Sequence, residues 1–192
     1  MRRIEGRVLG WKELSEMSPA VAEHLALQAG NFINQLRELG RQSAPTHFGR
    51  WPKGSFTSKA RFPDPQPDRE YETVDEFVQY WKETGKRLYA LNHIDIDSIP
   101  DSLFRHDQSP TLSHGDLKPQ NMIVDENWDI AGVIDWETVG WYPDFWDPLW
   151  FTRACIYIDA MQGAATALGQ ISDAEHEFSR LMYDIDFRLN VY

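Results

Sequence analysis

The sequence predicts an α+β fold that is mainly helical, with one short β-hairpin set among amphipathic helices. Three observations predict it. Apolar residues recur at three- and four-residue steps across 18–40 and again across 73–89. Two short β-branched-rich runs, Met122-Ile123-Val124 and Ile130-Ala131-Gly132-Val133-Ile134, flank the turn-forming Asp125-Glu126-Asn127. Between the first two helical stretches lies a tract, 41–72, rich in proline, glycine and charge and without a period of its own.

Each element has its own signal. Residues 1–11 read as a short extended piece punctuated by Gly6 and Gly10. Ser18 caps a helix with Pro19 in its first turn. Val21, Leu25, Ala29, Phe32, Leu36 and Leu39 form its apolar stripe, and Gly40 ends it. His24 lies beside that stripe as a surface or packing residue. The 41–72 tract is a loop insertion, and loops this long are usually functional or disordered. His47, Trp51 and Phe56 within it are candidates to face a substrate. Thr73 and Glu76 make a capping box ahead of Val74, Phe77, Val78, Trp81, Leu88 and Tyr89. An acidic, turn-rich connection, 94–107, leads to the hairpin region. Asp144 caps a further helix through Trp150 and Ile156, with Pro148 tolerated in its first turns. A last helix starts near Ser172, striped by Phe178, Leu181, Met182 and Ile185. No repeat and no low-complexity tract is present.

Composition bounds the function. A chain of 192 residues reads as one domain, 1–192, large enough to bury a proper core. Its 42% hydrophobic and 26% charged residues are those of a globular protein. The net charge of -11 argues against nucleic-acid and anionic-membrane partners, because phosphates are held by basic surface. It suits a cationic substrate, but a solvated acidic face is the commoner explanation. The single cysteine, Cys155, excludes an internal disulfide and reads as a buried thiol. Met1-Arg2-Arg3 is basic, but no apolar signal core follows. No apolar run is long enough to span a membrane. The expected compartment is the cytoplasm.

The chemistry concentrates in His114-Gly115-Asp116-Leu117-Lys118-Pro119-Gln120-Asn121, which reads H-x-D-x-x-x-x-N. Alone, a His-x-Asp is also compatible with a buried histidine beside a turn aspartate. The asparagine at its offset, and Asp135 after the second strand, favour a catalytic loop. Phosphoryl transfer needs one carboxylate to orient the acceptor hydroxyl and take its proton. It also needs an amide and a second carboxylate to hold magnesium. Asp116 fits the first role, facing solvent, and Asn121 with Asp135 fits the other two. The hairpin brings Asn121, just before its first strand, beside Asp135, just after its second.

These residues resemble the aminoglycoside phosphotransferase and choline kinase-like family, relatives of the protein kinases. The continuation Trp136-Glu137-x-x-Gly140-Trp141-Tyr142-Pro143-x-x-Trp146-Asp147 resembles a branch of it common in fungi. The resemblance spans 111 to about 151, and by pattern only 1 to 110. It implies a kinase-like carboxy-terminal lobe, ATP and Mg2+ as cofactors, and a small-molecule substrate. Asp116 would be the base, Asn121 and Asp135 the magnesium ligands, His114 a support of the loop, and Asp147 the anchor of its backbone. Residues 1–11 resemble the hinge whose backbone contacts adenine. Lys118 resembles the lysine that meets the transferred phosphate in protein kinases, and is equally readable as a surface lysine. The aromatic cluster Trp136, Trp141, Tyr142, Phe145, Trp146 and Trp150 is readable as core or as a face for a cation, Trp136 or Trp141 being nearest Asp135. Glu137 is a further candidate for holding such a cation.

Two kinase parts have no counterpart in the sequence. The glycines never fall two apart, so no G-x-G loop occurs, and no lysine precedes Lys12. The expectation is an absent amino-terminal lobe, supplied by a longer product or a partner chain, and lone-chain catalysis that is doubtful. The rival reading is a non-catalytic kinase-like binding lobe. A protein kinase fits less well: Gly115 stands where its loop arginine would be, and neither D-F-G nor A-P-E occurs.

Overall fold

A computed structural model describes residues 3–52, 69–89 and 109–155. Their architecture is mixed α+β: four α-helices and two small antiparallel sheets. Strand β1 is Arg7–Val8, and helix α1, Trp11–Ser15, follows at once. The extended reading of 1–11 therefore holds only for a two-residue strand. A helix of five residues is too short to show a period, and Glu13 opens it by accepting the Gly10 N–H at 3.1 Å.

Helix α2, Pro19–Gly40, starts as its sequence dictates, with Ser18 Oγ accepting the Val21 N–H and proline in the first turn. Its buried face is Ala22, Leu25, Ala26, Ala29, Ile33, Leu36 and Gly40. This is a rotation from the predicted stripe. Val21 and Phe32 are half-buried, and Leu39 is 73% exposed. The cause is close approach. Gly40 lets the strand before the catalytic loop lie directly on the helix, and hydrophobic periodicity gives alanine and glycine little weight. Leu9, Leu14, Met17, Leu117, Met122, Val124 and Phe151 complete this core.

The predicted hairpin is β4, Met122–Val124, paired antiparallel with β5, Ile130–Val133. With β1 on the outer side of β4 it makes one sheet in the order β1-β4-β5. The second sheet runs β2-β6-β3, from Gly49–Arg50, Gly140–Tyr142 and Thr111–Ser113. The 41–72 tract is therefore not loop throughout. It contributes β2, and Phe48 and Tyr71 exchange backbone hydrogen bonds of 2.8 and 3.0 Å. Two-residue pairings follow from the partner strand rather than from any alternation of their own.

Helix α3, Val74–Tyr89, is capped at its start: Thr73 Oγ1 accepts the Glu76 N–H at 3.1 Å. The Glu76 carboxylate reaches back to the N–H of Glu72 at 2.9 Å, one residue before the cap. Val74, Phe77 and Val78 are buried. Helix α4, Trp146–Cys155, holds Pro148 in its first turn, where no intrahelical N–H is required. Among the described residues no helix is long and apolar enough to cross a membrane. Phe56, the 94–107 connection, Ile156, the helix expected from Ser172 and the Cys155 side chain lie outside the described residues.

Candidate functional site

The hairpin register decides which side chains meet. Met122 pairs with Val133, and one step further the Ile134 N–H donates to the Asn121 carbonyl at 2.9 Å. Asn121 thus stands opposite Ile134, with Asp135 next along the chain. The far end of the hairpin is tied down by its own turn and by α2. Asp125 Oδ1 accepts the N–H groups of Asn127 and Asp129 at 2.8 and 2.9 Å. Gln28 donates to the Trp128 carbonyl and accepts from the Ile130 N–H, and His24 meets Asp129 at 2.8 Å. The Arg7 guanidinium lies 4.4 Å over the Trp128 ring. Asp135 takes the left-handed conformation, φ 67° and ψ 57°, which aspartate tolerates better than most residues. It is exposed and leads into a 3-10 turn, Trp136–Thr138.

Residues 114–116 are buried, so every backbone polar group there needs a partner. All six have one, and each partner is a side chain. Asp147 Oδ2 and Oδ1 accept the N–H groups of His114 and Gly115 at 2.8 and 2.9 Å. Thr138 Oγ1 donates to the His114 carbonyl at 3.1 Å, and the Trp146 indole to the Gly115 carbonyl at 3.0 Å. The Asp116 N–H donates to His114 Nδ1 at 3.3 Å, and the Asn121 amide to the Asp116 carbonyl at 2.9 Å. With Nδ1 accepting, the His114 proton sits on Nε2, which faces the Ile134 carbonyl at 3.0 Å. Gly115 is required twice over. Its φ is +88°, and a Cβ there would run into the Thr138 carbonyl.

Asp116 is 3% exposed, so the solvent-facing placement is corrected. Motif spacing carries no information on the walls that the 136–147 segment builds over the loop. Lys118 Nζ lies 2.7 Å from Asp116 Oδ2, and the Asn121 amide donates to the same oxygen at 3.2 Å. The lysine is thus half-buried against the acid rather than solvated on the surface. Because both partners of the Asn121 Nδ2 group are acceptors, the orientation of the amide is determined, and its oxygen points elsewhere. That amide oxygen and the Asp135 carboxylate are hard oxygen donors of the kind magnesium takes. Among the described residues no cluster of three or more His, Cys, Asp or Glu could hold a metal on its own. Two protein oxygens plus phosphate oxygens are the usual way Mg2+ is bound, so the residues fit the ion.

Burial pushes the Asp147 carboxyl above its ordinary range, opposed by the N–H groups of Gly115 and His114 and by Arg37. Burial also pushes the Tyr142 hydroxyl up, with the charges of Asp147 and Asp116 adding to it. That hydroxyl donates to the Thr138 carbonyl at 2.9 Å.

A family model for the phosphotransferase enzyme family matches residues 1–181. The chain belongs to the phosphotransferase enzyme family. A search of curated proteins gives no match. Membership brings with it a protein kinase-like fold, and kinases of this family generally use ATP and Mg2+.

In this chain most of the aromatic cluster is core. Tyr142 stacks on Trp146 at 5.1 Å, and Phe77 meets both rings edge-on. Trp141 is buried, its indole directed at the Pro52 carbonyl. Trp136 alone of the six is substantially open, at 39%, with its ring centre 4.8 Å from that of His114. Glu137 beside it is exposed. Of the candidates in the 41–72 tract, His47 is half-buried against Thr46, and Trp51 is exposed with its N–H on the Val139 carbonyl. Sequence reasoning missed Thr138, the Trp146 indole and the Lys118–Asp116 pair. The one signal for the first two was the glycine between His114 and Asp116, which marks a backbone approached closely from outside.

Proposed function

We propose that this chain is an ATP-dependent phosphotransferase that moves the γ-phosphate to a hydroxyl of a small substrate. One observation supports it above all. The Asn121 amide spans the Asp116 carbonyl and carboxylate, while its backbone pairs with the strand residue just before Asp135. Base and metal-ligand candidates are thereby linked through one residue. In this reading Asp116 orients the acceptor hydroxyl and takes its proton. Lys118 and Asn121 fix one carboxylate oxygen, so the acid meets the hydroxyl in a set orientation. The Asn121 amide oxygen and Asp135 hold Mg2+, which neutralises charge on the triphosphate when bound. His114 and Asp147 support the loop. Exposed Asp135, Glu137 and Trp136, in a chain of net charge -11, favour a cationic acceptor.

The test is label transfer from γ-labelled ATP to a panel of cationic and neutral hydroxyl compounds. It is run with the chain alone and with the chain joined to a kinase amino-terminal lobe. Labelled product that Asp116→Asn abolishes supports the reading. Nucleotide binding without turnover in either form would assign the chain to the rival class, a kinase-like lobe that binds and does not catalyse.

A further inference from the structure

His114 is bonded on both sides of Asp135. Its Nε2 faces the carbonyl of Ile134, one residue before, and its own carbonyl accepts the hydroxyl of Thr138, three residues after. Through Nδ1 the same histidine holds the N–H of Asp116. Of these links, the Thr138 hydroxyl is the one made by a side chain outside the H-x-D-x-x-x-x-N motif. Thr138 is itself fixed. Its carbonyl accepts the Tyr142 hydroxyl at 2.9 Å and covers Gly115, and the next carbonyl, of Val139, accepts the Trp51 N–H at 3.1 Å. The turn Trp136–Thr138 thus presses on the catalytic loop from one side while leading directly out of Asp135 on the other.

We propose that Thr138 is a positioning residue for phosphoryl transfer: its hydroxyl holds the loop of Asp116 at a set distance from Asp135. The proposal rests on the reading of Asp116 as base and Asp135 as metal ligand. Without the hydroxyl, the buried His114 carbonyl loses its partner, and the spacing between the loop and the turn that leads out of Asp135 loses one of its restraints. A displacement of that kind lowers turnover, since small misplacements of reacting groups are costly, and leaves nucleotide affinity nearly unchanged. The segment also gives Trp51 a path of contacts to the loop, through Val139 and Thr138.

Thr138→Val keeps the shape and removes the donor, whereas Thr138→Ser keeps the donor and removes a methyl group. Two readouts apply to both: amide exchange at Gly115 and Asp116 relative to α2 amides, and Asp116-dependent hydrolysis of Mg-ATP by the chain alone or joined to an amino-terminal lobe. In Thr138→Val, exchange at the two loop amides should accelerate about tenfold or more relative to α2. The kcat should fall about tenfold or more with KM for Mg-ATP within about twofold, and Thr138→Ser should restore both readouts. Valine behaving as wild type, or serine as impaired as valine, overturns the proposal. The loop exchange pattern holding while the unmutated chain shows no Asp116-dependent hydrolysis in either form would instead overturn the catalytic reading of Asp116.

Discussion

Replacing Asp147 by alanine should destabilise the fold strongly. The carboxylate is buried, and both of its oxygens are committed to backbone N–H groups, those of His114 and Gly115. Alanine leaves both donors buried and without an acceptor, at about 1–3 kcal/mol each. Part of this is offset, because burial already opposes ionisation of the acid, and removing it relieves that cost. The net expectation is about 2–4 kcal/mol, which at an m-value of about 2 kcal/mol/M lowers the urea midpoint by about 1–2 M. Asp147→Asn retains one acceptor and should fall between. Urea melts followed by tryptophan fluorescence and far-UV circular dichroism read both variants. An alanine variant within about 0.5 kcal/mol of wild type would mean that these two N–H groups find other partners, refuting the anchoring role.

Gly115→Ala combines a positive φ with a clash against the Thr138 carbonyl, so thermal unfolding should report a loss of about 2–4 kcal/mol. Tyr142 ionises at higher pH in the folded chain than in the unfolded one, so the unfolded state releases its proton first and stability falls as pH rises above the ordinary tyrosine value. Tyr142→Phe should reduce the alkaline slope of unfolding free energy by about 1.4 kcal/mol per pH unit above pH 10, and an unchanged slope would contradict that burial.

How much of this was readable from sequence depended on whether the information was local. The hairpin was legible because β-branched runs and an Asp-Glu-Asn turn are local signals, and its register then put Asn121 and Asp135 at one end. The start of α2 was equally legible from Ser18-Pro19. Its buried face was not, because Ala22, Ala26 and Gly40 carry little weight in a hydrophobic pattern. The second sheet escaped for a related reason: β2 is two residues long and owes its pairing to β6, some 90 residues away. The walls around Asp116 were hidden in the same manner. Thr138 and Trp146 act on backbone atoms, and backbone partners leave no pattern in side-chain spacing; Asp147, which acts the same way, was expected only from the family resemblance.

The most direct test of the central claim follows the Asn121 side-chain amide by NMR while Mn2+, standing in for Mg2+, is added with ATP. If Asn121 and Asp135 share one ion, the Asn121 side-chain signals should broaden first, together with the backbone amides of Ile134 and Asp135. The broadening should disappear in Asp135→Ala and persist in Glu137→Gln. Broadening of the Asn121 signals that survives Asp135→Ala unchanged, or that never reaches Asn121, would contradict the account.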